Sequence, residues 1–125
     1  MTWGHPPRHE VKFALGDGTT VHLEMVFMAL DGPEAEEKIR GGLYTGIWAN
    51  ELNTIRRPII TMALGRAGRF PSMKDGGPTW HGMLADTNMP DEDHWVYKMA
   101  EEEHPAGWAF FRQPGGVYQN ADGIW

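Results

Sequence analysis

Cysteine is missing from this chain of 125 residues. That excludes disulfides, thiolate-held zinc and cysteine nucleophiles, and it agrees with a reducing compartment. Long apolar runs are missing too: no stretch approaches the roughly 20 residues that cross a bilayer. The opening residues, MTWGHPPRHE, lack the basic and then apolar order of a secretory signal, so no membrane partner and a cytoplasmic location are expected. Positive charge is scarce. Eleven Lys and Arg against 17 Asp and Glu leave a net charge of −6, which argues against a nucleic-acid binder working through a broad basic face. The phosphate-cradling pattern GxxxxGK followed by Ser or Thr occurs nowhere, so autonomous ATP hydrolysis is not expected.

Glycine and proline are plentiful, at 16 and 9. They are scattered rather than clustered, which implies many surface loops in a folded chain and not a disordered one. Hydrophobic residues make up 41% and charged residues 22%, an ordinary globular balance for a single domain of this length. The bases concentrate at Arg56, Arg57, Arg66, Arg69 and Lys74, whereas acids gather around positions 34–37, 91–93 and 101–103. Each cluster read alone is solvated charge. DNA contact through the basic stretch requires those side chains to share a face.

Periodicity supplies the elements. VKFALGDGTTVHLEMVFMAL alternates apolar and polar residues about an Asp-Gly pair, which predicts a β-hairpin. Val11, Phe13 and Leu15 are expected on one face, with Val21, Leu23 and Met25 on another. Glu34 to Arg40 predicts a short helix after Pro33, ended by Gly41-Gly42. LYTGIWA, at 43–49, has the composition of a strand buried on both faces. Leu52, Ile55, Ile59, Met62 and Ala63 form a helical stripe that Pro58 should kink or divide.

Residues 65–80 hold many breakers and bases and predict a long surface loop. HGMLADT then predicts a second buried strand. The stretch from Met89 to Glu103 predicts a helix capped by Asp91, with Trp95, Met99 and Val96 inward. GWAFFRQP predicts a last strand, in which Trp108, Phe110 and Phe111 are core, and the tail after Gln113 shows little periodicity.

This order predicts an α/β fold: a mostly parallel sheet with flanking helices and an N-terminal hairpin. Ligands of such sheets bind beyond the carboxyl ends of the strands. Two strands would bring Asn50, Glu51, Thr87 and Asn88 to that rim. Glu51 is suited to orient an attacking water, and Asn50 offers a neutral oxygen to magnesium. A Glu opening a helix after a strand, and a Thr-Asn turn, are the structural alternatives. Arg66 and Arg69 are candidate phosphate-binding cations or plain surface charge. Asp91, Asp93 and His94 carry metal-ligand chemistry, although a helix start with a surface His has the same composition. His5 and His9 form a further pair in a proline-rich terminus.

Taken in order, EEKIRGGLYTGIWANELNTI, ALGRAGRFPS, GGPTWHGMLADTNMPDEDHWVY and GWAFFRQPGG resemble the large terminase subunit of tailed bacteriophages, the motor ATPase of DNA packaging. The resemblance covers nearly the whole chain. It implies part of an ASCE P-loop ATPase fold, with GIWANE as the Walker B segment, Glu51 as catalytic glutamate and Asn50 at the position usually held by Asp. ADTN matches the coupling motif, placing Thr87 and Asn88 toward the phosphate.

The same resemblance implies ATP and Mg2+ as cofactors, bound weakly by this chain alone. It further implies the bacterial host cytoplasm, and double-stranded DNA and the portal protein as partners. The phosphate loop would be supplied by a missing N-terminal ATPase half or another terminase chain. The 125 residues then correspond to a single partial domain, with self-association expected where sheet edges are left open. Two other readings stand beside it: a non-catalytic protein-interaction module of phage or prophage origin, and a metal-dependent hydrolase using Asp86, Asp91, Asp93 and His94.

Overall fold

A computed structural model describes residues 6–113. The chain divides into two compact units, Met1–Asn88 and Met89–Trp125. The first holds two small sheets and two helices. Strands β1 (Arg8–Ala14) and β2 (Thr20–Val26) form an antiparallel hairpin. Strands β3 (Gly46–Ala49) and β4 (Gly82–Ala85) form a separate parallel pair. The fold is therefore mixed α/β: the expected N-terminal hairpin is present, and among the described residues the expected parallel sheet is a single pair of strands. No helix among the described residues is long and apolar enough to cross a membrane.

The hairpin follows from its turn. The Gly18 N–H donates to the Leu15 carbonyl at 3.0 Å, and Leu15 N–H donates to Thr19 at 2.7 Å. Gly18 sits at φ 86°, a left-handed conformation that glycine adopts without a Cβ penalty. Asp17 Oδ1 accepts from the Thr19 amide at 2.9 Å, which holds its carboxyl below the usual carboxylate range.

Register corrects the expectation of two apolar faces. Val11 pairs with Leu23, Phe13 with Val21 and His9 with Met25, and directly paired residues share a face. One side of the ribbon is thus apolar. The other carries Arg8, Glu10, Lys12, His22 and Glu24, joined by Arg8–Glu24 at 2.5 Å, Lys12–Glu10 at 3.3 Å and a short His22–Glu10 contact.

Helix α1 (Ala35–Arg40) buries Ala35 and Ile39, one turn apart, and packs against α2 (Arg57–Leu64), which buries Ile59, Ile60 and Ala63. Ile39 and Ile59 are essentially inaccessible, and no charged or polar residue is buried among the described residues. Pro58 divides the stripe as expected. Leu52–Thr54 forms a 3-10 turn, Arg56 is extended, and Pro58 falls in the first turn of α2, where a missing N–H breaks no helical bond. Leu52 and Ile55, before the break, are buried as well.

Parallel strands require a crossover. Here it runs from β3 through α2 and the surface loop 65–81, which contains one 3-10 turn, Met73–Asp75. Neither strand is buried on both faces, contrary to the reading of their apolar runs. Trp48 and Leu84 are register partners and are 74% and 65% exposed. An apolar run of four residues reports hydrophobicity, not how many layers cover it. Gly46 and Gly82 are also partners, and together they seat the Trp80 ring: a Cβ on Gly46 would fall 2.5 Å from it.

In the second unit, α3 (Trp95–Lys98) runs into a π-helical turn, Met99–Glu103. Val96 and Met99 are buried and Trp95 is half-buried. The cap is His94 instead of Asp91: its Nδ1 accepts from the Val96 amide at 3.2 Å. The chain stops being helical at His104, which takes a left-handed conformation with φ 42°. No strand forms over residues 107–113, because no neighbouring strand pairs with them. Trp108 stacks on Phe110 with ring centroids 6.2 Å apart, and Phe111 is 91% exposed, so this aromatic run is not core. The tail after Gln113, and His5 at the other end, lie outside the described residues.

Candidate functional site

The carboxyl ends of β3 and β4 lie side by side because Ala49 is paired with Ala85 in a parallel register. Asn50 and Glu51 therefore leave the sheet beside Asp86, Thr87 and Asn88, and all five are exposed. Four of the six sequence-predicted site residues (Asn50, Glu51, Thr87 and Asn88) are thus brought to one edge.

The join is made by Asp86. Its amide donates to the Ala49 carbonyl at 3.1 Å, and its carbonyl accepts from the Leu52 amide at 2.9 Å. Its side chain accepts twice more: from the Trp48 indole Nε1–H at 2.6 Å on Oδ2, and from the Glu51 amide at 3.3 Å on Oδ1. One aspartate thereby encloses the Asn50-Glu51 turn with four hydrogen bonds.

Glu51 is bent into that turn. It has φ 51° and ψ 55°, the left-handed region. For a residue with a Cβ this costs about 1–2 kcal/mol, and such strain persists only where surrounding contacts over-determine it. While its amide donates to Asp86, the Glu51 carbonyl accepts from both the amide and the hydroxyl of Thr54, at 2.8 and 2.9 Å. These bonds turn the chain from β3 into the 3-10 turn. The exposed carboxylate projects from a backbone held at both ends. Just beyond β4, the Thr87 hydroxyl donates to the Asn88 carbonyl at 2.8 Å, so this polar pair folds locally.

Arg66 and Arg69 are placed elsewhere. The Arg66 carbonyl accepts from the Tyr44 amide at 3.2 Å, and the Arg69 amide donates to the Tyr44 carbonyl at 3.0 Å, either side of the Tyr44–Ala67 bridge. Tyr44 precedes β3, whereas Glu51 follows it. The five steps from Tyr44 to Ala49 at the end of β3 span roughly 16 Å, more than an arginine side chain reaches. The basic stretch is split as well: Arg56 and Arg57 begin α2, while Arg66 and Arg69 follow its end. An eight-residue helix separates the two pairs by about 12 Å.

Among the described residues no group of three or more His, Asp or Glu side chains is arranged to hold an ion, and His94 spends its Nδ1 on the helix cap. Asp86 is the residue whose role composition did not reveal. Its signal was its place directly after an apolar strand, but the partner Trp48 lies 38 positions away, and only the strand register connects them. Comparison with protein families, with characterised proteins and with solved structures finds no match to this chain.

Proposed function

We propose that this chain carries the hydrolysis edge of a nucleotide-driven DNA-packaging motor of the terminase type. In this reading Glu51 orients the attacking water, Asn50 helps hold magnesium, and Thr87 and Asn88 sense the terminal phosphate. The observation that carries the reading is Glu51 held in a left-handed backbone conformation at the carboxyl edge of a parallel strand pair, the edge at which open α/β sheets bind ligands. Phosphoryl transfer asks mainly for positioning and charge stabilisation, which a fixed turn between two strand ends favours.

The chain has no phosphate loop, so ATP is to be held with a second segment or subunit, and DNA and a portal-type ring are the proposed larger partners. Arg66 and Arg69 stay outside this site. The test is ATP turnover, first by the chain alone and then with a phosphate-loop half of a terminase ATPase added. No turnover is expected alone. Turnover is expected on addition and should fall at least about 100-fold in Glu51→Gln, the scale of a lost general base. Equal turnover by wild type and variant removes Glu51 from the mechanism.

A second reading is favoured by the open apolar surface around Trp48 and Leu84: a non-catalytic interaction module. Large exposed apolar patches mark association sites. A chain that stays monomeric at high concentration in analytical ultracentrifugation, and that gains turnover with the added half, counts against the module.

A further inference from the structure

A carboxylate carries two oxygens and no proton, so it can accept from two N–H groups at once. Asp86 does so, with Oδ2 on the Trp48 indole and Oδ1 on the Glu51 amide. Its main chain closes the same turn through Ala49 and Leu52. The residue that must be held is Glu51, the one non-glycine of the first unit with a positive φ among the described residues. Asp86 is followed directly by the exposed Thr87 and Asn88, beyond the end of β4.

We propose that Asp86 is the positioning residue of this site, holding Glu51 in its left-handed turn and tying its direction to Thr87 and Asn88. The Trp48 indole sets the rotation of the Asp86 carboxylate, and the second oxygen then meets the Glu51 amide. A displacement of Thr87 and Asn88 draws on Asp86 and so on the Glu51 backbone, without any contact between the side chains. Asp86 touches neither nucleotide nor water in this scheme and acts through Glu51. The catalytic consequence rests on the proposed role of Glu51; the clasp itself does not.

Asparagine at position 86 keeps the shape but replaces one acceptor oxygen by an NH2 donor, so one of the two N–H partners faces another donor. In the full chain, Asp86→Asn should lower the folding equilibrium constant about tenfold, the scale of a hydrogen bond to a charged group. It should also shift the Trp48 indole N–H or the Glu51 amide resonance upfield. Glycine adopts the left-handed conformation unaided, so in a Glu51→Gly background the same replacement should cost only about threefold. Equal costs in the two backgrounds, or unmoved Trp48 and Glu51 resonances, overturn the proposal.

If Asp86→Asn does not fold, Trp48→Phe carries the test, because it frees the carboxylate without touching residue 86. The Glu51 amide should shift and the cost should again be smaller beside Glu51→Gly. With the phosphate-loop half added, Asp86→Asn should lower kcat at least about tenfold with KM for ATP unchanged, as loss of aim requires. Turnover abolished by Glu51→Gln yet untouched by Asp86→Asn overturns the positioning role. Absence of turnover in every version refutes the hydrolysis reading, while the stability and resonance measurements still decide the clasp.

Discussion

The hairpin Arg8–Val26 and the pair β3–β4 each contain two strands, yet they are organised by different ranges of sequence. In the hairpin, a three-residue turn brings neighbouring segments together, and charges on one face meet across the strands. In the parallel pair, Gly46 meets Gly82 and Trp48 meets Leu84 only after the chain has built α2 and a long loop. The hairpin closes a short loop, whereas the pair must close one of more than 30 residues before any contact offsets its entropy. Local order is built in turn chemistry. The candidate site stands on the non-local sheet, where register decides which side chains meet.

Replacing Ile59 by Ala should give the largest effect. Ile59 is fully buried in α2 where that helix meets α1, so the expected loss is about 3 kcal/mol. Phe13→Ala on the open face of the hairpin should cost under about 1 kcal/mol in the same denaturant titration, since Phe13 is 47% exposed. Equal costs would mean that the hairpin face is covered in solution. Gly46→Ala comes next. Its new methyl meets the Trp80 ring, and displacing that ring should cost about 1–2 kcal/mol and change tryptophan emission. Unchanged emission would show that the ring does not rest on the glycine pair.

Gly18→Ala confines the damage to the hairpin. A Cβ at φ 86° costs about 1 kcal/mol, to be read as lost cross-strand contacts in NMR, with the amides of α2 unchanged. Spread of the effect into α2 would break the separation between the two regions.

The smallest effect is electrostatic. The His22 hydrogen bond, then that of Lys12, holds the Glu10 carboxyl below the ordinary glutamate range. A depressed carboxylate contributes stability that is fully present above its unfolded value and lost as pH falls through its folded value. Titration of Glu10 by NMR should therefore give a midpoint below that of a free glutamate, moving upward in His22→Ala. An unmoved midpoint would leave the short His22–Glu10 contact without electrostatic weight. The contact lies on an exposed face, where pairs contribute little to stability.

Local features were legible in the residues themselves. GDGT marked the hairpin, Pro33 and Gly41 bounded α1, and Pro58 divided the stripe that began at Leu52. The polar ends of β3 and β4, and hence the meeting of four candidate residues at one edge, were legible from apolar runs closing on Asn50-Glu51 and Thr87-Asn88. The separation of Arg66 and Arg69 from Glu51 was not, because proximity in sequence along a crossover says little about which end of a strand it reaches. The His94 cap was hidden for a related reason: Asp91, Asp93 and His94 can all accept from an amide, and backbone angles choose among them.

What the sequence by itself determined is the hairpin, the bounds of α1, the break at Pro58 and the polar ends of β3 and β4, since turns and apolar spacing act over a few residues. Tertiary structure alone decided that Trp48 and Asp86 meet across 38 positions, that Glu51 takes a left-handed turn under that aspartate, and that Trp48 and Leu84 share an open face. Register is the reason. A shift of one residue between parallel strands would exchange the faces of every side chain on them, and the packing that selects the register is spread over the whole unit.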